Sequence, residues 1–356
     1  MTHADIERFT RGGRVGVDVG AIERDLASLW RRASAANTAV TRACSWNLVV
    51  HTTTDAERAR AQGLVESLVS AVPSRTLILN HRQGGNRPAN PEPEIEAFVT
   101  ANCRMMPGGG KLVCAEEITI EARGRGDEHL PSLVRALLVP DIPTALLWAN
   151  LPPPSAVVQE LLAGVDRVVL DSTRAPSLAP IAGLGPKLTA RVADLNWLRG
   201  AGLRLVIAAA FDSPTDVPML QRLSRLDIEA SPRALCSARL LLGWLGARLS
   251  WGAPLTGADH TGHRWVLPRQ DGAVAVEVSL TDGKEDFSSL TFETADGQRL
   301  QLRLVESVAR IESKSGVRAI PLALHRDEEL VVAALGSRGN DPLYQGALMR
   351  ALELER

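Results

Sequence analysis

The fold class follows from residues 45–79, which read SWNLVVHTTTDAERARAQGLVESLVSAVPSRTLIL. Residues 45–51 and 75–79 are compact, nearly unbroken apolar runs, which are typical of strands buried on both faces of a parallel sheet. Between them, Thr54 and Glu57 form a capping-box pattern, and apolar residues then recur at helical spacing. Strand, helix and strand with short connections indicate a crossover unit with parallel strands. The sequence therefore predicts an α/β fold.

The same alternation of helices and strands continues on both sides of this unit. The predicted elements are helices at 19–35, 130–138 and 155–163 and strands at 94–103, 111–123, 145–148 and 168–171. The strands at 94–103 and 111–123 flank a Gly-rich turn, so they are expected to form a hairpin. We expect residues 1–172 to form a domain with a mixed, mainly parallel sheet and helices.

The second half of the chain differs from the first in composition and in its predicted elements. Residues 173–186 are rich in small residues, Pro and Gly, which suits a linker, and a second domain is expected over 187–356. Its predicted elements are helices at 188–199, 203–211 and 233–251, strands at 225–229, 264–267, 273–280, 289–293 and 299–305, and a closing helix. Asp-Gly pairs at 271, 282 and 296 separate the alternating runs, which indicates an antiparallel β-meander.

Composition limits the classes of function. Apolar residues make up 45% of the 356 residues and charged residues 23%, the balance of a globular protein. Forty basic residues against 41 acidic ones leave a net charge of -1, so no overall field favours nucleic acid or anionic lipid. The first residues lack an apolar signal core, and residues 137–149 are interrupted by two prolines short of a membrane span. We expect a cytoplasmic protein that binds proteins or small molecules.

Three short patterns could indicate metal or phosphate sites. Pro107-Gly-Gly-Gly-Lys111 lacks the Ser or Thr and the helix of a P-loop, so a hairpin turn is favoured. His260 and His263 share a short loop with Asp259, but a zinc site needs a further clear ligand. The four cysteines, at 44, 103, 114 and 236, show no C-x-x-C spacing and imply no zinc ribbon or disulfide scaffold. We expect no metal and no cofactor.

Glu116 and Glu117 are unusual because they lie side by side within an otherwise apolar strand. Alternation along a strand places one carboxylate on each face of the sheet. At least one of them should therefore have an arginine partner, or mark a polar patch on the sheet.

Two segments are candidates for contacts with a partner protein. In the DLNWLR cluster, Asp194 and Trp197 share one face of a predicted helix, and Asn196 and Arg199 share another. Trp and Arg are favoured anchors in interfaces, although Trp197 could instead pack in the core while Asp194 caps the helix. The irregular loop at 80–93 adds Arg82 and Arg87, and it is either a binding element or mobile.

In its order of motifs the chain resembles the OpcA-type glucose-6-phosphate dehydrogenase assembly proteins. The stretches that carry the resemblance are PSRTLIL at 73–79, CAEEITI at 114–120, HLPSLVRALLVPDIPTALLWA at 129–149, VVLDS at 168–172, DLNWLR at 194–199, FDSP at 211–214, RLDIEA at 225–230 and RALCSARLLLGWLGARLSW at 233–251. The resemblance implies a protein without catalytic activity that binds glucose-6-phosphate dehydrogenase, promotes its assembly and raises its activity.

Two alternatives stay open at the level of sequence. The fold could hold a pocket for a sugar phosphate or a nucleotide and act as a sensor in the oxidative pentose phosphate pathway. The chain could also be an enzyme, since the members of a catalytic triad meet only in space. The family resemblance argues against an enzyme.

Overall fold

The computed structural model describes residues 9–13, 18–36, 40–81, 94–105, 112–123, 126–148, 156–184, 191–255, 263–283, 285–337 and 341–356. Arg82, Arg87 and His260 lie outside these ranges. The chain divides into two compact units. Unit 1 comprises Met1–Leu170, Arg191–Ala193 and Asp327–Arg338, and unit 2 comprises Asp171–Ala190, Asp194–Arg326 and Gly339–Arg356. The domain boundaries drawn from the sequence, at 172 and 187, stay a prediction.

The described strands form two sheets. They are β1 Phe9–Gly13, β2 Val40–Arg42, β3 Trp46–Thr52, β4 Ser74–His81, β5 Glu94–Met105, β6 Leu112–Arg123, β7 Thr144–Trp148, β8 Arg167–Leu170, β9 Val192–Asp194, β10 Leu223–Ala230, β11 Arg264–Arg269, β12 Gly272–Leu280, β13 Phe287–Thr294, β14 Arg299–Val305, β15 Val308–Ser313 and β16 Gly316–Pro321.

The described helices are short to medium in length. They are Val19–Ala36, Asp55–Leu68, Leu130–Leu137, Ala156–Ala163, Ala179–Gly183, Leu195–Arg199, Ala201–Ala210, Val217–Gln221, Leu235–Leu249, Asp327–Gly336 and Pro342–Glu353. Among the helices of the described ranges, none has both the length and the apolar character to cross a membrane.

The first sheet confirms the predicted crossover unit. Its strand order is β1-β5-β6-β4-β3-β7-β8-β9, with β2 beside β6. β3 lies parallel to both β4 and β7, and β5 pairs with β6 antiparallel. The strands that follow β3 first extend the sheet on one side, through β4 and β6, and then on the other, from β7 to β9. The strand order therefore reverses at β3, as in doubly wound sheets that bind ligands at the reversal.

Glu116 and Glu117 show that helices cover both faces of this sheet. Glu116 accepts hydrogen bonds from Trp30 Nε1 at 2.6 Å and from Arg75 Nε at 2.7 Å, and Arg42 lies 2.7 Å away. On the opposite face Glu117 accepts from Gln62 Nε2 at 3.1 Å. The helix Val19–Ala36 thus packs on one face and the helix Asp55–Leu68 on the other. The predicted arginine partner is confirmed for Glu116.

The hairpin of β5 and β6 also carries a disulfide bond. Cys103 and Cys114 are directly opposed in the antiparallel register and are bonded to each other. The predicted hairpin places Cys103 and Cys114 on its two strands, and that placement is the sequence signal for their pairing. The expectation that the cysteines imply no disulfide scaffold is therefore corrected for this one pair.

The second sheet differs from the predicted meander in one respect. Its order is β11-β12-β10-β13-β14-β15-β16. β10 lies between β12 and β13 and pairs parallel with β12, so the Asp-Gly at 282 does not close a hairpin. The Asp-Gly at 271 does, because Gly272 has a φ of 128° between the paired strands β11 and β12. The sheet is otherwise antiparallel, and it contains two strands that were not predicted, β15 and β16.

The helix predicted at 188–199 is wrong at residues 192–194, and its residues 188–190 lie outside the described ranges. Val192–Asp194 is a strand, and the helix covers only Leu195–Arg199. Val192 and Ala193 are buried, and Val168 N donates to Arg191 O at 3.0 Å beside β8. Pairing at the sheet edge overrides the local helical spacing, which is a common outcome for so short a segment.

Candidate functional site

The sequence cluster Asp194–Arg199 begins at a buried carboxylate. Asp194 ends β9 and is the N-cap of the helix Leu195–Arg199, where its Oδ1 accepts from Asn196 N at 3.0 Å. The same oxygen accepts from Ser172 N at 3.1 Å, and Oδ2 accepts from Ser172 Oγ at 2.6 Å and from Tyr344 OH at 3.3 Å. An Asp at this position is a preferred cap because it satisfies an amide that the helix leaves free.

Burial sets the ionisation of this carboxyl group. Asp194 is 1% exposed, and loss of water raises its pKa to about 6, against the lowering effect of the donors from Ser172 and Asn196. The pKa of Tyr344 is raised as well, first by burial and then by the negative charge of Asp194. The Tyr344 hydroxyl donates to Asp194, and both oxygens of Asp194 are occupied by donors from within the chain.

Asn196 extends the same network to a second helix. Its Nδ2 donates to Ser172 Oγ at 2.9 Å, and its Oδ1 accepts from Ser237 Oγ at 2.7 Å. Ser237 belongs to the helix Leu235–Leu249. Asn196 therefore joins the segment after β8 to that helix.

Trp197 contacts a carboxylate, an aromatic ring and a guanidinium group. Its Nε1 donates to Asp341 Oδ2 at 2.9 Å, and the Tyr344 ring centroid lies 5.7 Å from its own. The guanidinium of Arg204 lies 3.4 Å from the ring centroid, an arrangement that favours cation–π attraction. Burial lowers the pKa of Arg204 to about 10, opposed by the charge of Asp341. Trp197 is only 5% exposed, so it is a core residue of unit 2.

Arg199 is the one member of the predicted cluster with appreciable exposure, at 26% of its side chain. It donates to Asp171 Oδ2 at 3.0 Å and to Thr173 Oγ1 at 2.7 Å. Burial opposes ionisation of Asp171, but the hydrogen bonds and charge of Arg199 outweigh it, and the pKa of Asp171 is lowered. Of the six predicted contact residues, the structure thus brings together Asp194, Asn196, Trp197 and Arg199. Arg82 and Arg87 lie outside the described residues.

Ser172, Ser237, Asp341 and Tyr344 complete this cluster and were not found by sequence reasoning. Tyr344 is 150 residues from Asp194. Of these four residues, only Asp341 could have been predicted, because Asp followed by Pro is a typical start of a helix. Its Oδ1 accepts a hydrogen bond from Leu343 N at 3.0 Å. Nothing in the sequence indicates that this cap also meets Trp197.

A second candidate position is the reversal of strand order at β3. Here the loop after β3 leads into the helix Asp55–Leu68, the position at which nucleotide-binding sheets hold a phosphate. Residues 52–57, TTTDAE, contain no glycine. The Glu57 carboxylate accepts from Thr53 N at 2.8 Å and from Thr53 Oγ1 at 3.0 Å, while Glu57 N donates to Thr54 Oγ1 at 3.2 Å. An internal carboxylate thus occupies the place of an anionic ligand.

Unit 1 also contains a cavity of about 240 Å³ at the start of β7. Val49, Val134 and Leu161 are among its mainly apolar lining residues, and Arg135 and Glu160 are paired at 2.9 Å beside it. The volume is below that of usual small-molecule sites, at about 300–1,000 Å³. Within the residues that the structure describes, no three His, Cys, Asp or Glu side chains are grouped to hold a metal ion.

Comparison with known proteins identifies relatives along most of the chain. A family model described as the glucose-6-phosphate dehydrogenase subunit N-terminal domain matches residues 65–184, and one described as its C-terminal domain matches 190–348. Three curated relatives carry the name OxPP cycle protein OpcA, which is a provisional name in each case.

These relatives come from cyanobacteria. The protein of Nostoc punctiforme is 32% identical over 166 residues, 44% of this chain and 35% of that protein. The protein of Synechocystis sp. is 26% identical over 195 residues, 53% and 40% of the two chains. The protein of Synechococcus elongatus is 29% identical over 316 residues, 81% and 69% of the two chains. The matched stretches thus span less than half of the first two relatives.

Solved structures give weaker similarity. Biliverdin reductase from Synechocystis sp. PCC 6803 has a TM-score of 0.44 and 14% identity over 87% of this chain and 96% of its own. An oxidoreductase domain protein from Kribbella flavida has a TM-score of 0.45 and 10% identity over 88% and 96%. The two domain models of one family match in order and together cover most of the sequence, so the chain belongs to the OpcA family of glucose-6-phosphate dehydrogenase assembly proteins.

Proposed function

We propose that this protein is a cytoplasmic, non-catalytic assembly factor and allosteric activator that binds glucose-6-phosphate dehydrogenase and favours its active oligomer. The observation that carries the proposal is the collinear match of both halves of the chain to domains described as a subunit of that dehydrogenase. The names of the three curated relatives are consistent with this role.

The mechanism that fits such a role is a shift of population. A protein that bound the active and inactive oligomers equally would change nothing, however tightly it bound. The factor must therefore bind the active oligomer of the dehydrogenase more tightly, and its binding free energy then stabilises that form.

The contact residues proposed from the sequence have different roles under this proposal. Arg199, Arg82 and Arg87 would contact the dehydrogenase, because arginine forms planar, bidentate contacts with carboxylates. Asp194, Asn196 and Trp197 would have an indirect role. Their hydrogen bonds fix the position of the short helix that carries Arg199.

The test uses the purified chain and its cognate dehydrogenase. We expect co-elution in size-exclusion chromatography and, at saturating factor, a higher reaction rate or a lower KM for glucose 6-phosphate. An unrelated protein of similar size, at the same concentration, is the control for crowding and for adsorption of the dehydrogenase to the vessel walls. If the two proteins elute separately and the kinetics are unchanged, the proposed function is wrong.

A second candidate function is a sensor of sugar phosphate or nucleotide, and the reversal of strand order at β3 favours it. The Glu57 carboxylate at the start of the neighbouring helix opposes it, because a bound phosphate would meet a negative charge. Thermal denaturation separates the two candidates. A sensor would gain stability in the presence of glucose 6-phosphate or NADPH, whereas an assembly factor of the proposed kind would be unchanged by either compound.

A further inference from the structure

The apolar cavity of unit 1 is not used by the proposed function. It lies between the helices Leu130–Leu137 and Ala156–Ala163, and residues of β3 and β7 line it on the side of the sheet. The apolar side chains that form most of its wall are Val49, Pro131, Val134, Leu138, Leu161 and Val165. The cavity therefore offers a ligand a surface of aliphatic side chains.

Thr144, the uncharged polar residue of the lining, already has partners within the chain. Its backbone N donates to Asp166 Oδ2 at 2.9 Å, and its backbone O accepts from Asp166 N at 2.8 Å. Its hydroxyl oxygen accepts from Asn47 Nδ2 at 3.4 Å. A polar group placed inside the cavity would therefore give up its hydrogen bonds to water with little in return.

The two charged residues of the lining are paired with each other. Arg135 and Glu160 belong to the two different helices, and Arg135 Nη2 donates to Glu160 Oε1 at 2.9 Å. Their side chains are 58% and 51% exposed, so they mark the solvent side of the cavity. A charged ligand would be attracted by one member of this pair and repelled by the other. The charges at the cavity thus favour neither an anion nor a cation.

The volume of the cavity, about 240 Å³, sets the size of the ligand. An apolar cavity of about 150 Å³ is large enough to bind benzene, a molecule of six carbon atoms. In the same proportion, the cavity of unit 1 has room for about ten non-hydrogen atoms. An aromatic ring with a short alkyl chain has this size.

An apolar ligand would gain contacts that the empty cavity lacks. Side chains that face empty space have no van der Waals partners on that side. Water in such a place finds few hydrogen-bonding groups, so its displacement by an apolar group favours binding. Val49, Val134 and Leu161 are 1%, 4% and 5% exposed, which means that their contacts with a ligand would be sheltered from solvent.

We propose that this cavity is a binding site for a neutral, apolar small molecule of about ten non-hydrogen atoms, such as an alkylbenzene. The ligand is a free molecule rather than a side chain of a partner protein. The pair of Arg135 and Glu160 joins the two helices on the solvent side, where the main chain of a partner would have to lie. The site goes beyond the proposed function, since it requires no dehydrogenase.

Titration of the full chain with ethylbenzene, followed by the NMR signals of the ligand, tests this proposal. We expect a dissociation constant of about 1 mM or lower. Phenylacetate and 2-phenylethylammonium carry the same ring with a negative and a positive charge, and each should bind at least about tenfold more weakly. If ethylbenzene does not bind at about 1 mM, the site is wrong. If either ion binds as tightly as ethylbenzene, the assignment of a neutral ligand is wrong.

Val134→Phe places a phenyl ring where the ligand would bind. The variant should bind ethylbenzene at least about tenfold more weakly, while its thermal midpoint stays unchanged or rises because the ring fills an empty volume. Val65→Phe is the matched control, since Val65 is also a buried helical valine but does not line the cavity. This control should lower the midpoint, because the added atoms overpack the core. The proposal is overturned if Val134→Phe lowers the midpoint equally, or if it binds ethylbenzene like the unaltered chain.

Addition of the cognate dehydrogenase separates a free ligand from a side chain of that partner. Under the proposal, ethylbenzene stays bound when the dehydrogenase is added in excess. Its displacement would assign the cavity to a side chain of the dehydrogenase and would overturn the proposal. The titration with ethylbenzene alone does not involve the dehydrogenase, so its result is independent of whether the proposed function holds.

Discussion

At the scale of single residues, Asp194 shows how a buried carboxylate is tolerated in this protein. Two backbone amides and two hydroxyl groups donate to its oxygens, from Ser172, Asn196 and Tyr344. These bonds compensate part of the cost of removing a charge from water, and the remainder appears as a pKa raised to about 6. Because the unfolded group ionises near 3.8, the folded state holds this proton more tightly.

This difference predicts a pH dependence of stability that Asp194→Asn removes. A raised folded-state pKa contributes stability that is fully present below pH 3.8 and is lost as the pH rises through about 6. The unaltered protein should therefore lose about 2 kcal/mol more than the variant in the free energy of unfolding between pH 4.5 and 7. Urea unfolding of both proteins at the two pH values measures this quantity.

The asparagine suits this test because its amide can keep the network. Its oxygen accepts the two backbone amides, and its nitrogen donates to Tyr344 and Ser172, whose hydroxyl groups can turn. Asp171, whose pKa is lowered, contributes the opposite pH dependence in both proteins and cancels in the comparison. Equal losses for the two proteins would contradict a raised pKa at Asp194. Asp194→Ala is the control, and it should destabilise at both pH values because the donors lose their acceptor.

At the scale of elements, sequence patterns predict the helices and strands whose formation depends on neighbouring residues alone. The helix Asp55–Leu68 has its N-cap bond, Glu57 N to Thr54 Oγ1, where the capping-box pattern predicts it. In contrast, Val192–Asp194 becomes a strand only because the edge of β8 is available for pairing. Likewise, β10 lies between β12 and β13, two strands that follow it in the sequence. Pairing between distant segments leaves no periodic signal, so neither the strand Val192–Asp194 nor the place of β10 in the second sheet could be predicted.

The cluster around Asp194 was partly predictable for the same reason. Its own segment stands out in the sequence, and the cap at Asp341 has a recognisable pattern. The meeting of Tyr344 with Asp194 depends on how the helix Pro342–Glu353 packs on the helix Leu235–Leu249. That packing is a tertiary property, and it decides between the two alternatives that the sequence leaves for Trp197, since the side chain is buried in the core.

The packing of these two helices depends on Gly243. A Cβ atom at this position would lie 2.1 Å from Ala347 O and 2.8 Å from Ala351 N, both backbone atoms of the helix Pro342–Glu353. Gly243→Ala should therefore separate the helices and lower the free energy of unfolding by about 3 kcal/mol. Equilibrium unfolding in urea measures the loss.

A second helical glycine supplies the matched control. A Cβ atom at Gly63, in the helix Asp55–Leu68, would meet no atom within 4 Å. Gly63→Ala should then stabilise the protein by up to about 1 kcal/mol, because alanine is the better helix former. If both substitutions stabilise the protein alike, the close approach of the two helices at Gly243 is wrong.

At the scale of the whole molecule, the proposed function depends on a surface rather than on a reactive group. The net charge of -1 provides no general attraction for a partner, so recognition must come from local arrangements. Arginine is abundant, with 36 of the 40 basic residues, and many of the described arginines are already paired with a carboxylate within the chain. An arginine therefore contributes most to partner binding where its carboxylate partner is supplied by another protein.

Arg82 and Arg87 are the arginines for which we predict that role. They lie in the long segment at 80–93, whose prolines and glycines favour neither helix nor strand. Loss of two interface arginines should weaken binding to the dehydrogenase by at least about tenfold, because arginine is enriched among residues that dominate binding energy. Calorimetric titration of the dehydrogenase with Arg82→Ala/Arg87→Ala, compared with the unaltered chain, measures the change.

The control is Arg31→Ala/Arg60→Ala, which removes two exposed helical arginines and should bind the dehydrogenase normally. Thermal midpoints that match among the three proteins would show that any loss arises at the interface, and equal affinities would exclude the segment from the contact.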